Sequence, residues 1–496
     1  MQTTSSPARP AIRRLRDRVM GCWLGKAVGG TLGMPFEGWD GPLDLDFYRP
    51  VPTEMLPNDD LDLQVVWACA LDKMETIAVD RHVLAQAWLD HVEFPWDEYG
   101  VAIRNLKLGL KAPLSGEYDN YFVHGMGAPI RSEIWACLAP GDPATAAAYA
   151  YEDGCVDHAG DGVWGEMFLA ALESAAFVES DPDILLDEAL SILPPESVTG
   201  RAVADTRLWY RELRDWRAVR EQIIASYGSD NFTYAPMNIA FTILGWLASE
   251  GDFSQAICIA VNCGKDTDCT GATVGSLMGI IDPDGIPDKW LAPIGRNLVL
   301  SPGIVGLDAP DTLDSFTDLV LDLSARLAGK MPAARSYEQS TADLAFPVQR
   351  AFVDAFPTRD EPPVFDAPQT VMLPGNYARL RSSDFPKDTL LLRYEFSLGE
   401  AGETCVVANT RERSRVWLDG RFAFGRSGGE MVPSPHRAPG DQVTNLHLDA
   451  GRHELIVAME KPAGGADLEW VVVVADGGTK IWRPWAFLPG HPSKAE

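Results

Sequence analysis

The stretch CGKDTDCTGATVG, residues 263–275, places two aspartates, Asp266 and Asp268, where a turn passes into a predicted helix. The chain already has 71 acidic against 42 basic residues, and only Lys265 brings a positive charge next to this doublet. Aspartates at the start of a helix commonly cap it, and their charge complements the helix macrodipole. Taken alone, the stretch predicts the capped start of a helix whose apolar face enters the core.

The surrounding sequence has a helical pattern from about residue 13 to residue 330. Apolar residues recur at three- and four-residue spacing in segments such as LQVVWACALDKM, GEMFLAALESAAFV, NIAFTILGWLASEG and TVGSLMGII. This pattern predicts an all-α domain. Two of its helices have glycine at every fourth residue: Gly25, Gly29 and Gly33, then Gly271, Gly275 and Gly279. Because each glycine costs a helix about 1 kcal/mol relative to alanine, these stripes indicate close packing against another backbone.

The pattern changes after the helical half. Residues 331–365 are rich in Pro, Ala and charge, and they predict a linker with one short helix around AFPVQRAFVDAF. Beyond it, six short β-rich segments with period two predict a β-sandwich, jelly-roll-like, in which Asp419-Gly420 marks a hairpin. The predicted order is a disordered tail (1–12), an all-α domain (13–330), the linker (331–365) and the sandwich (366–496).

Composition excludes several classes of partner. The formal net charge of −29 opposes broad contact with nucleic acid or an anionic membrane, because both would repel the chain. No apolar h-region follows the basic N-terminus, and no apolar run approaches the roughly 20 residues that span a bilayer. We expect a cytoplasmic protein that binds neither. The eight cysteines form no CxxC pair, which favours buried, reduced thiols.

A second acidic doublet occurs far upstream. The segment PNDDLDLQ, residues 57–64, brings Asn58, Asp59 and Asp60 to the start of a predicted amphipathic helix. If this helix start converges with that of residues 263–275, four carboxylates meet, and they require large pKa shifts or a cation. Oxygen ligands with hydroxyl neighbours at Thr267 and Thr270 suit Mg²⁺ above Ca²⁺ or Mn²⁺, whereas zinc would favour His or Cys. The two doublets together predict a site for one or two hard cations.

Other motifs give weaker evidence for a ligand site. GCWLGKA (21–27) superficially resembles a phosphate loop, but it has three residues between its glycines and Ala27 where such a loop needs Ser or Thr. GMGAPI (125–130) lacks the third glycine of a dinucleotide fingerprint, and no GxSxG or HExxH occurs. His124 and His158 lie in Gly-rich loops, where a lone histidine is more often structural than ligand-binding.

Five separated motifs resemble the ADP-ribosylglycohydrolase family, the helical enzymes that include the dinitrogenase reductase-activating glycohydrolase. The resemblance covers roughly residues 13–300, with the motifs in the family's order. They are RVMGCWLGKAVGGTLGMPFEG, PNDDLDLQ, HGMGAPIR, GCVDHAGDGVWGEMFLAALESAAF and AVNCGKDTDCTGATVGSLMGII.

The resemblance implies an all-α fold with two Mg²⁺ ions, or Mn²⁺ or Ca²⁺ in their place, at the bottom of a cleft. The implied metal ligands are Asn58, Asp59, Asp60, Asp266, Asp268 and Thr270. The implied catalytic residues are Glu37, near the anomeric carbon, and Asp60. The segments that line the substrate cleft correspond to Gly125, Met126, Gly127, His158 and Asp161. Such a site can hold two ribose hydroxyls while a carboxylate activates water and negative charge stabilises an oxocarbenium-like transition state.

The chain departs from the family pattern at two positions. Many family members have Thr directly after the second aspartate, where this chain has Cys269 followed by Thr270. A thiol is a poor Mg²⁺ ligand, so Thr270, a backbone oxygen or a water takes its place, or one ion binds more weakly. Asn58 replaces the more familiar Thr and keeps an oxygen ligand. Residues 365–496 lie outside the resemblance.

Three functions are compatible with these features. The first is removal of ADP-ribose from a protein side chain or a small acceptor. The second is metal-dependent cleavage of a ribosyl, nucleoside or other furanoside or carbohydrate bond, with sugar contacts on the sandwich. The third is a catalytically silent ADP-ribose-binding protein, which the retention of all four aspartates and Glu37 disfavours. The sandwich tryptophans are candidate sugar platforms, although core packing is their favoured interpretation: Trp417, Trp470, Trp482 and Trp485.

Overall fold

The computed structural model describes residues 12–332 and 338–483, which form two compact units. Within these residues, the first unit comprises 12–93, 111–116 and 123–332, and the second comprises 94–110, 117–122 and 338–483. The second unit therefore includes a piece of the predicted helical half. Residue 12 already belongs to the first helix, and residues 1–11 of the predicted tail lie outside the described residues.

The all-α prediction for the N-terminal half is confirmed. The described residues 12–332 contain isolated β-bridges but no strand. The four segments whose spacing predicted helices lie in α2, α8, α12 and α14. The α-helices of this region are α1 (Ile12–Gly33), α2 (Asp59–Asp72), α3 (Arg81–His91), α4 (Asp97–Lys107), α5 (Leu114–Glu117), α6 (Ser132–Leu138), α7 (Pro143–Gly154), α8 (Asp161–Ala176), α9 (Pro182–Leu190), α10 (Val198–Leu213), α11 (Trp216–Tyr227), α12 (Ala235–Ala248), α13 (Phe253–Asn262), α14 (Thr267–Ile281), α15 (Asp288–Ile294) and α16 (Leu313–Leu327).

Helices α1 and α14 pack with their backbones in contact through the two glycine stripes. A Cβ on Gly25 would lie 1.9 Å from the carbonyl oxygen of Gly275, a distance that no side chain tolerates. At the other end of α1, a Cβ on Gly33 would lie 2.2 Å from the carbonyl oxygen of Thr267. The Thr267 hydroxyl donates to the Gly33 carbonyl at 2.8 Å. The stripes thus fix the start of α14 against the end of α1.

The C-terminal half forms two antiparallel sheets, as expected for a sandwich. A six-stranded sheet has the order β2-β1-β4-β9-β6-β7, and a four-stranded sheet has the order β3-β10-β5-β8. The strands are β1 (Phe346–Val353), β2 (Gln369–Leu373), β3 (Tyr377–Leu380), β4 (Thr389–Leu398), β5 (Gly402–Asn409), β6 (Ser414–Leu418), β7 (Arg421–Arg426), β8 (Val443–Leu448), β9 (Gly451–Glu460) and β10 (Leu468–Asp476).

Alternate residues of the strands build the core between the two sheets. Val406 of β5 and Val472 of β10 point inward and pack with Leu390 of β4. The intervening residues of the four-stranded sheet, such as Val407 and Val473, belong to a second apolar cluster on its outer face. A sheet that is covered on both faces explains why β10 has a continuous run of valines and no alternation with polar residues.

The prediction of a short helix around AFPVQRAFVDAF was wrong. Residues Phe346–Val353 form β1, which pairs with β2 on one side and with β4 on the other. Phe346 and Val348 are buried while Pro347 between them is exposed, so the apolar residues have the period of a strand. Prediction from a short mixed segment failed because the neighbouring strands, which the segment does not encode, decide its conformation. The six predicted β segments correspond to β4–β10.

Helix α4 belongs to the sandwich unit. Val101 of α4 and Phe122 are buried in the cluster on the outer face of the four-stranded sheet, together with Val407. The Asp119 carboxylate accepts hydrogen bonds from the Asn376 side chain at 2.8 Å and from the Tyr377 backbone N–H at 2.8 Å. The piece of the helical half in the second unit is thus held by both apolar and polar contacts.

The proposed sugar-stacking tryptophans are core residues where the structure describes them. Trp417, Trp470 and Trp482 are at most 3% exposed, and the indole of Trp470 donates to the Tyr394 hydroxyl at 3.2 Å. Trp485 lies outside the described residues. The eight cysteines are free thiols, and all but Cys258 are buried, as predicted. None of the described helices combines the length and the apolar character needed to cross a membrane.

Candidate metal centre

The start of α2 is capped by Asn58. Its Oδ1 accepts a hydrogen bond from the Asp60 backbone N–H at 2.7 Å, which satisfies a donor that the helix itself leaves unpaired. Its Nδ2 donates to Asp268 Oδ2 at 3.2 Å and so connects α2 with α14. Because Asn58 makes the cap, the side chains of Asp59 and Asp60 are not needed for it.

The start of α14 has no side-chain cap. Asp266 occupies the N-cap position, but its side chain makes no capping hydrogen bond. Its backbone N–H donates to Asn238 Oδ1 at 3.3 Å, and the preceding turn uses left-handed backbone at Gly264 (φ 77°) and Lys265 (φ 69°). Capping therefore does not explain Asp266. Its carboxylate is 2% exposed and needs another source of stabilisation.

The two helix starts bring Asp60, Asp266 and Asp268 together with Glu37 in two overlapping clusters, whereas Asp59 belongs to neither. Ligand atoms of Glu37, Asp266 and Asp268 all lie within 4.8 Å of one another. A second group with the same limit contains Asp60, Asp268 and the Cys269 thiol. Asp268 is shared by both clusters. Glu37 is exposed and the other members are buried, so the centre is open to solvent on the side of Glu37.

Burial and mutual repulsion make the carboxylates costly to ionise. Burial raises the pKa of Asp60, Asp266 and Asp268 well above the ordinary value, and neighbouring carboxylates raise it further. Lys26 opposes this effect at Asp60, since its Nζ lies 3.4 Å from Asp60 Oδ1 and 2.8 Å from Glu133 Oε1. One lysine shared by two acids leaves Asp266 and Asp268 without a countercharge of their own in the described part of the chain.

These residues fit a bound cation. Asp266 Oδ2 and Asp268 Oδ1 are buried and accept no hydrogen bond from the described residues. A buried carboxylate oxygen without a partner costs free energy, which a cation removes by supplying both charge and coordination. The cluster of Glu37, Asp266 and Asp268 offers only oxygen ligands, which suits a hard divalent ion.

A family model of ADP-ribosylglycohydrolase matches residues 11–331, well over half of the sequence. The chain belongs to this family. It is therefore a hydrolase that acts on glycosidic bonds, and the acidic clusters agree with the family's general dependence on a metal ion. No curated protein matches the chain.

Solved structures are less similar to this chain than the family model is. An ADP-ribosylglycohydrolase-related protein complex has 20% identity and a TM-score of 0.45, and the alignment covers 64% of this chain and 99% of the other. An α-xylosidase from Xanthomonas citri has 15% identity and a TM-score of 0.15 over 25% of this chain and 13% of its own. A β-glucosidase from Kluyveromyces marxianus has 11% identity and a TM-score of 0.19 over 42% and 33%. At these TM-scores none adds to the family assignment.

In the first turn of α14, the position directly after Asp268 has a thiol where the family pattern led us to expect a hydroxyl. Cys269 Sγ lies 3.7 Å from Asp60 Oδ2, and the thiol is a member of the second cluster. The hydroxyl of Thr270 donates instead to the Thr267 carbonyl at 3.2 Å, inside α14. The role of Thr270 as a ligand stays a prediction.

The glycine-rich segment predicted to line the substrate cleft is buried. Gly125 forms an isolated antiparallel bridge with Tyr234, and Met126 is 1% exposed. The Gly127 carbonyl accepts a hydrogen bond from the Arg131 guanidinium. The segment is thus a fixed part of the helical unit, and its contact with substrate stays a prediction.

His158 and Asp161 each have polar partners of their own, and neither belongs to the two carboxylate clusters. His158 is fully buried, with Nδ1 3.1 Å from Asp157 Oδ1. Burial alone would raise the pKa of Asp157, but Arg131 and His158 lower it to about 2. Asp161 accepts hydrogen bonds from the Ser197 hydroxyl at 3.0 Å and the Thr199 backbone at 2.8 Å, so it fixes the start of α10.

The sequence patterns missed the residues that support the carboxylates from behind. Glu133 accepts hydrogen bonds from Lys26 Nζ at 2.8 Å and from Gln64 Nε2 at 2.9 Å. Gln64 also donates to the Asp60 backbone carbonyl at 2.8 Å. Asn238 positions the backbone of Asp266. A usable signal existed, since Lys26, Glu133 and Gln64 are charged or polar residues on the buried faces of otherwise apolar helices, and such residues are rarely buried unless they are paired.

Proposed function

We propose that this enzyme hydrolyses the C1 glycosidic bond of ADP-ribosyl adducts and uses two Mg²⁺ ions to do so. Family membership supports hydrolysis of a glycosidic bond. The observation that carries the proposal is the position of Asp268, which belongs to both acidic clusters and has a buried oxygen that accepts no hydrogen bond from the described residues. A carboxylate in such surroundings is stabilised in its charged form by a cation.

The proposed ligands of the ions lie at the starts of α2 and α14. Asp59 and Asp60 would contribute from α2, and Asp266 and Asp268 from α14, with neutral oxygens from Asn58 and Thr270. When bound, the ions would hold two vicinal hydroxyls of the ribose and offset the negative charge of the site. Lys26 would favour the charged form of Asp60, because its ammonium group lies 3.4 Å from that carboxylate in a buried setting.

Glu37 is the proposed catalytic carboxylate. It is the exposed member of its cluster, so it can meet both solvent and a substrate, while Asp266 and Asp268 behind it are buried. From this position it would orient a water molecule and accept its proton as the bond at C1 breaks. The surrounding negative charge would stabilise the positive charge that develops on the sugar ring. Asp60 is the second residue to which we assign a catalytic role.

The charge of the substrate separates this function from its alternative. A diphosphate-containing substrate is anionic, and the chain has a formal net charge of −29. Such a substrate can approach the carboxylates only when cations offset their charge. A neutral furanoside or nucleoside has no such requirement for binding. We therefore expect substrate binding itself to depend on the divalent ion if ADP-ribose is the group that is released.

The test is a comparison of leaving groups. The full chain is incubated with Mg²⁺ and with ADP-ribosylated arginine, ADP-ribosylated serine or O-acetyl-ADP-ribose, in parallel with a panel of furanosides and nucleosides. We expect release of free ADP-ribose from at least one adduct. Release from the neutral sugars alone would favour the furanoside glycosidase. Tight binding of ADP-ribose without any turnover would favour a binding protein.

Variants at the two helix starts test the metal ligands. Asp266→Ala and Asp59→Ala should each abolish hydrolysis and reduce Mg²⁺ uptake, measured by calorimetry, while the far-ultraviolet circular dichroism stays that of the parent. The fold should persist because each change removes a repelling carboxylate and leaves the glycine contacts of α1 and α14 in place. Unchanged Mg²⁺ binding in both variants would refute the assignment.

The Glu37→Gln variant separates catalysis from metal binding. Gln keeps a side-chain oxygen but cannot accept a proton, so we expect kcat to fall by about 10²–10⁴-fold, the usual range for losing a general base, with metal affinity retained. The measurement is kcat and KM at saturating Mg²⁺ together with calorimetric Mg²⁺ binding. A variant with parental kcat would remove Glu37 from the mechanism.

A further inference from the structure

The two acidic clusters offer different ligand atoms. The cluster of Glu37, Asp266 and Asp268 contains carboxylate oxygens alone, whereas the cluster of Asp60, Asp268 and Cys269 adds a sulfur atom. Hard ions such as Mg²⁺ bind oxygen, while thiolate sulfur favours zinc and other softer divalent ions. Two ions bound here would therefore meet unlike surroundings.

The Cys269 thiol contacts a carboxylate of the metal centre. Cys269 is 8% exposed, and its Sγ lies 3.7 Å from Asp60 Oδ2, within hydrogen-bond distance for sulfur. A second, independent feature points to a cation at the same place, because Asp268 Oδ1 is buried and has no hydrogen-bond partner among the described residues. The thiol and a carboxylate oxygen of Asp268 belong to one cluster, whose ligand atoms all lie within 4.8 Å of one another.

The neighbouring hydroxyls in the first turn of α14 bond to the backbone. Thr267 donates to the Gly33 carbonyl at 2.8 Å, and Thr270 donates to the Thr267 carbonyl at 3.2 Å. Both hydroxyl protons stabilise the helix start and its contact with α1. Of the three side chains at positions 267, 269 and 270, the thiol is the one that contacts the Asp60 carboxylate.

We propose that Cys269 is a metal ligand and that it makes the centre unsymmetrical, with a softer divalent ion such as Zn²⁺ beside Asp60 and Asp268 and a hard ion beside Glu37 and Asp266. The inference rests on the proposed function, in which these clusters hold cations, and it replaces one of the two proposed Mg²⁺ ions by the softer ion. Binding breaks the S–H bond, the sulfur electron pair forms the bond to the metal, and the proton passes to solvent.

Cobalt is the probe that tests this ligand. The full chain is stripped of metal with a chelator and titrated with Co²⁺, which reports sulfur coordination through a thiolate-to-cobalt charge-transfer band in the near ultraviolet. We expect the band to saturate at one equivalent, and we expect Zn²⁺ but not a large excess of Mg²⁺ to remove it. Stoichiometric Co²⁺ binding without the band would overturn the inference, and this result needs no variant.

Two matched substitutions locate the sulfur. Cys269→Ser should lose the band and weaken Zn²⁺ binding by at least about tenfold, the lower end of the effect of altering a metal's surroundings, while Mg²⁺ binding at the oxygen-only cluster persists. Cys258→Ser, which removes a thiol on α13, should leave spectrum and affinities unchanged. A band that survives in Cys269→Ser would assign the sulfur elsewhere and refute the proposal. Failure to bind any divalent ion would overturn the proposed function as well, whereas two bound hard ions without a charge-transfer band would overturn this inference alone.

Discussion

At the scale of single residues, the buried charge of this protein is organised around Lys26. The lysine is 1% exposed and pairs with Asp60 and Glu133, which are 1% and 0% exposed. Burial lowers the pKa of Lys26, but the two carboxylates more than offset this and raise it. The lysine therefore stays charged inside the helical unit, and it compensates two of the acids that surround the centre.

Lys26→Met should destabilise the metal-free protein strongly. The change leaves two buried carboxylates without their cation, and breaking a buried pair in this way costs about 3–5 kcal/mol. Urea unfolding in the presence of a chelator measures the effect. Arg326→Met is the control, because its partners Asp72 and Asp322 are 48% and 62% exposed and such pairs contribute about 1 kcal/mol or less. Equal losses in both variants would contradict this account.

His436, in the sandwich unit, predicts a loss of stability in acid. Burial, with a further contribution from Lys480, lowers its pKa from 6.5 to about 4. The nearby Asp97 carboxylate, 3.8 Å away, does not reverse this because it is paired with Arg437. Between these pKa values the unfolded chain binds a proton that the native state does not, so stability falls as pH falls from about 6.5 to about 4. The side chain is 26% exposed, so solvent reduces the size of this loss below that of a fully buried imidazole.

The variant His436→Gln should remove this contribution. Urea unfolding at about pH 7.5 and about pH 4.5 should show a smaller acid-induced loss in the variant than in the parent, because Gln takes up no proton in that range. The exposed His447→Gln serves as the matched control. If His436→Gln kept the full pH dependence of the parent, the sandwich would owe its acid sensitivity to other groups.

At the scale of elements, the metal centre depends on two helix contacts, one between α1 and α14 and one between α2 and α14. The glycine stripes hold α1 and α14 in backbone contact, and Asn58 connects the starts of α2 and α14 through its hydrogen bond to Asp268. The carboxylates meet because α2 and α14 begin next to each other, and the start of α14 lies against the end of α1. The glycine contact is therefore a condition for the metal centre and not only a detail of packing.

Gly25→Ala tests this condition. The new methyl group would lie 1.9 Å from the Gly275 carbonyl oxygen, so α1 and α14 must separate, and we expect a loss of about 3 kcal/mol or more, as for overpacked cores. Gly200→Ala in α10 is the control, since its nearest neighbour lies at 3.4 Å and alanine gains up to about 1 kcal/mol in a helix. Thermal unfolding of the two variants gives the comparison. A neutral Gly25→Ala would contradict the close backbone contact.

At the scale of the whole molecule, each of the two units is built from three separate segments of the chain. Residues 94–110 and 117–122 lie within the family region, yet they belong to the unit of the sandwich. Val101 and Phe122, 0% and 2% exposed, pack there with Val407 and Val473. The sandwich therefore packs with residues of the family region as well as with its own strands.

Removal of residues 338–496 should therefore harm the part that remains. The truncated chain would expose Val101 and Phe122, and exposed apolar clusters promote association. We expect increased binding of a hydrophobic dye and aggregation on size-exclusion chromatography, compared with the full chain. A truncated chain that stays monomeric with the thermal stability of the full protein would show that residues 94–122 fold without the sandwich.

The sequence by itself determined the classes of structure and the chemistry that is present. Periods of 3.6 and 2 separate the helical half from the sandwich, because local spacing decides which face of an element can be buried. The doublets at 59–60 and 266–268 predicted a cation site from charge alone. The order of the motifs was sufficient to identify the family, since that order can be read from the sequence without knowledge of tertiary contacts.

Only the tertiary structure decided which groups meet. Asn58 and Asp268 are 210 residues apart, and no local pattern encodes the distance of 3.2 Å between their side chains. Packing places Asp268 in both acidic clusters and Cys269 Sγ within 3.7 Å of Asp60. It also places Lys26 beside Asp60. Packing also made residues 346–353 a strand. In each case the deciding interaction comes from an element distant in the chain, whose position is fixed only when the glycine-faced helices and the paired strands have come together.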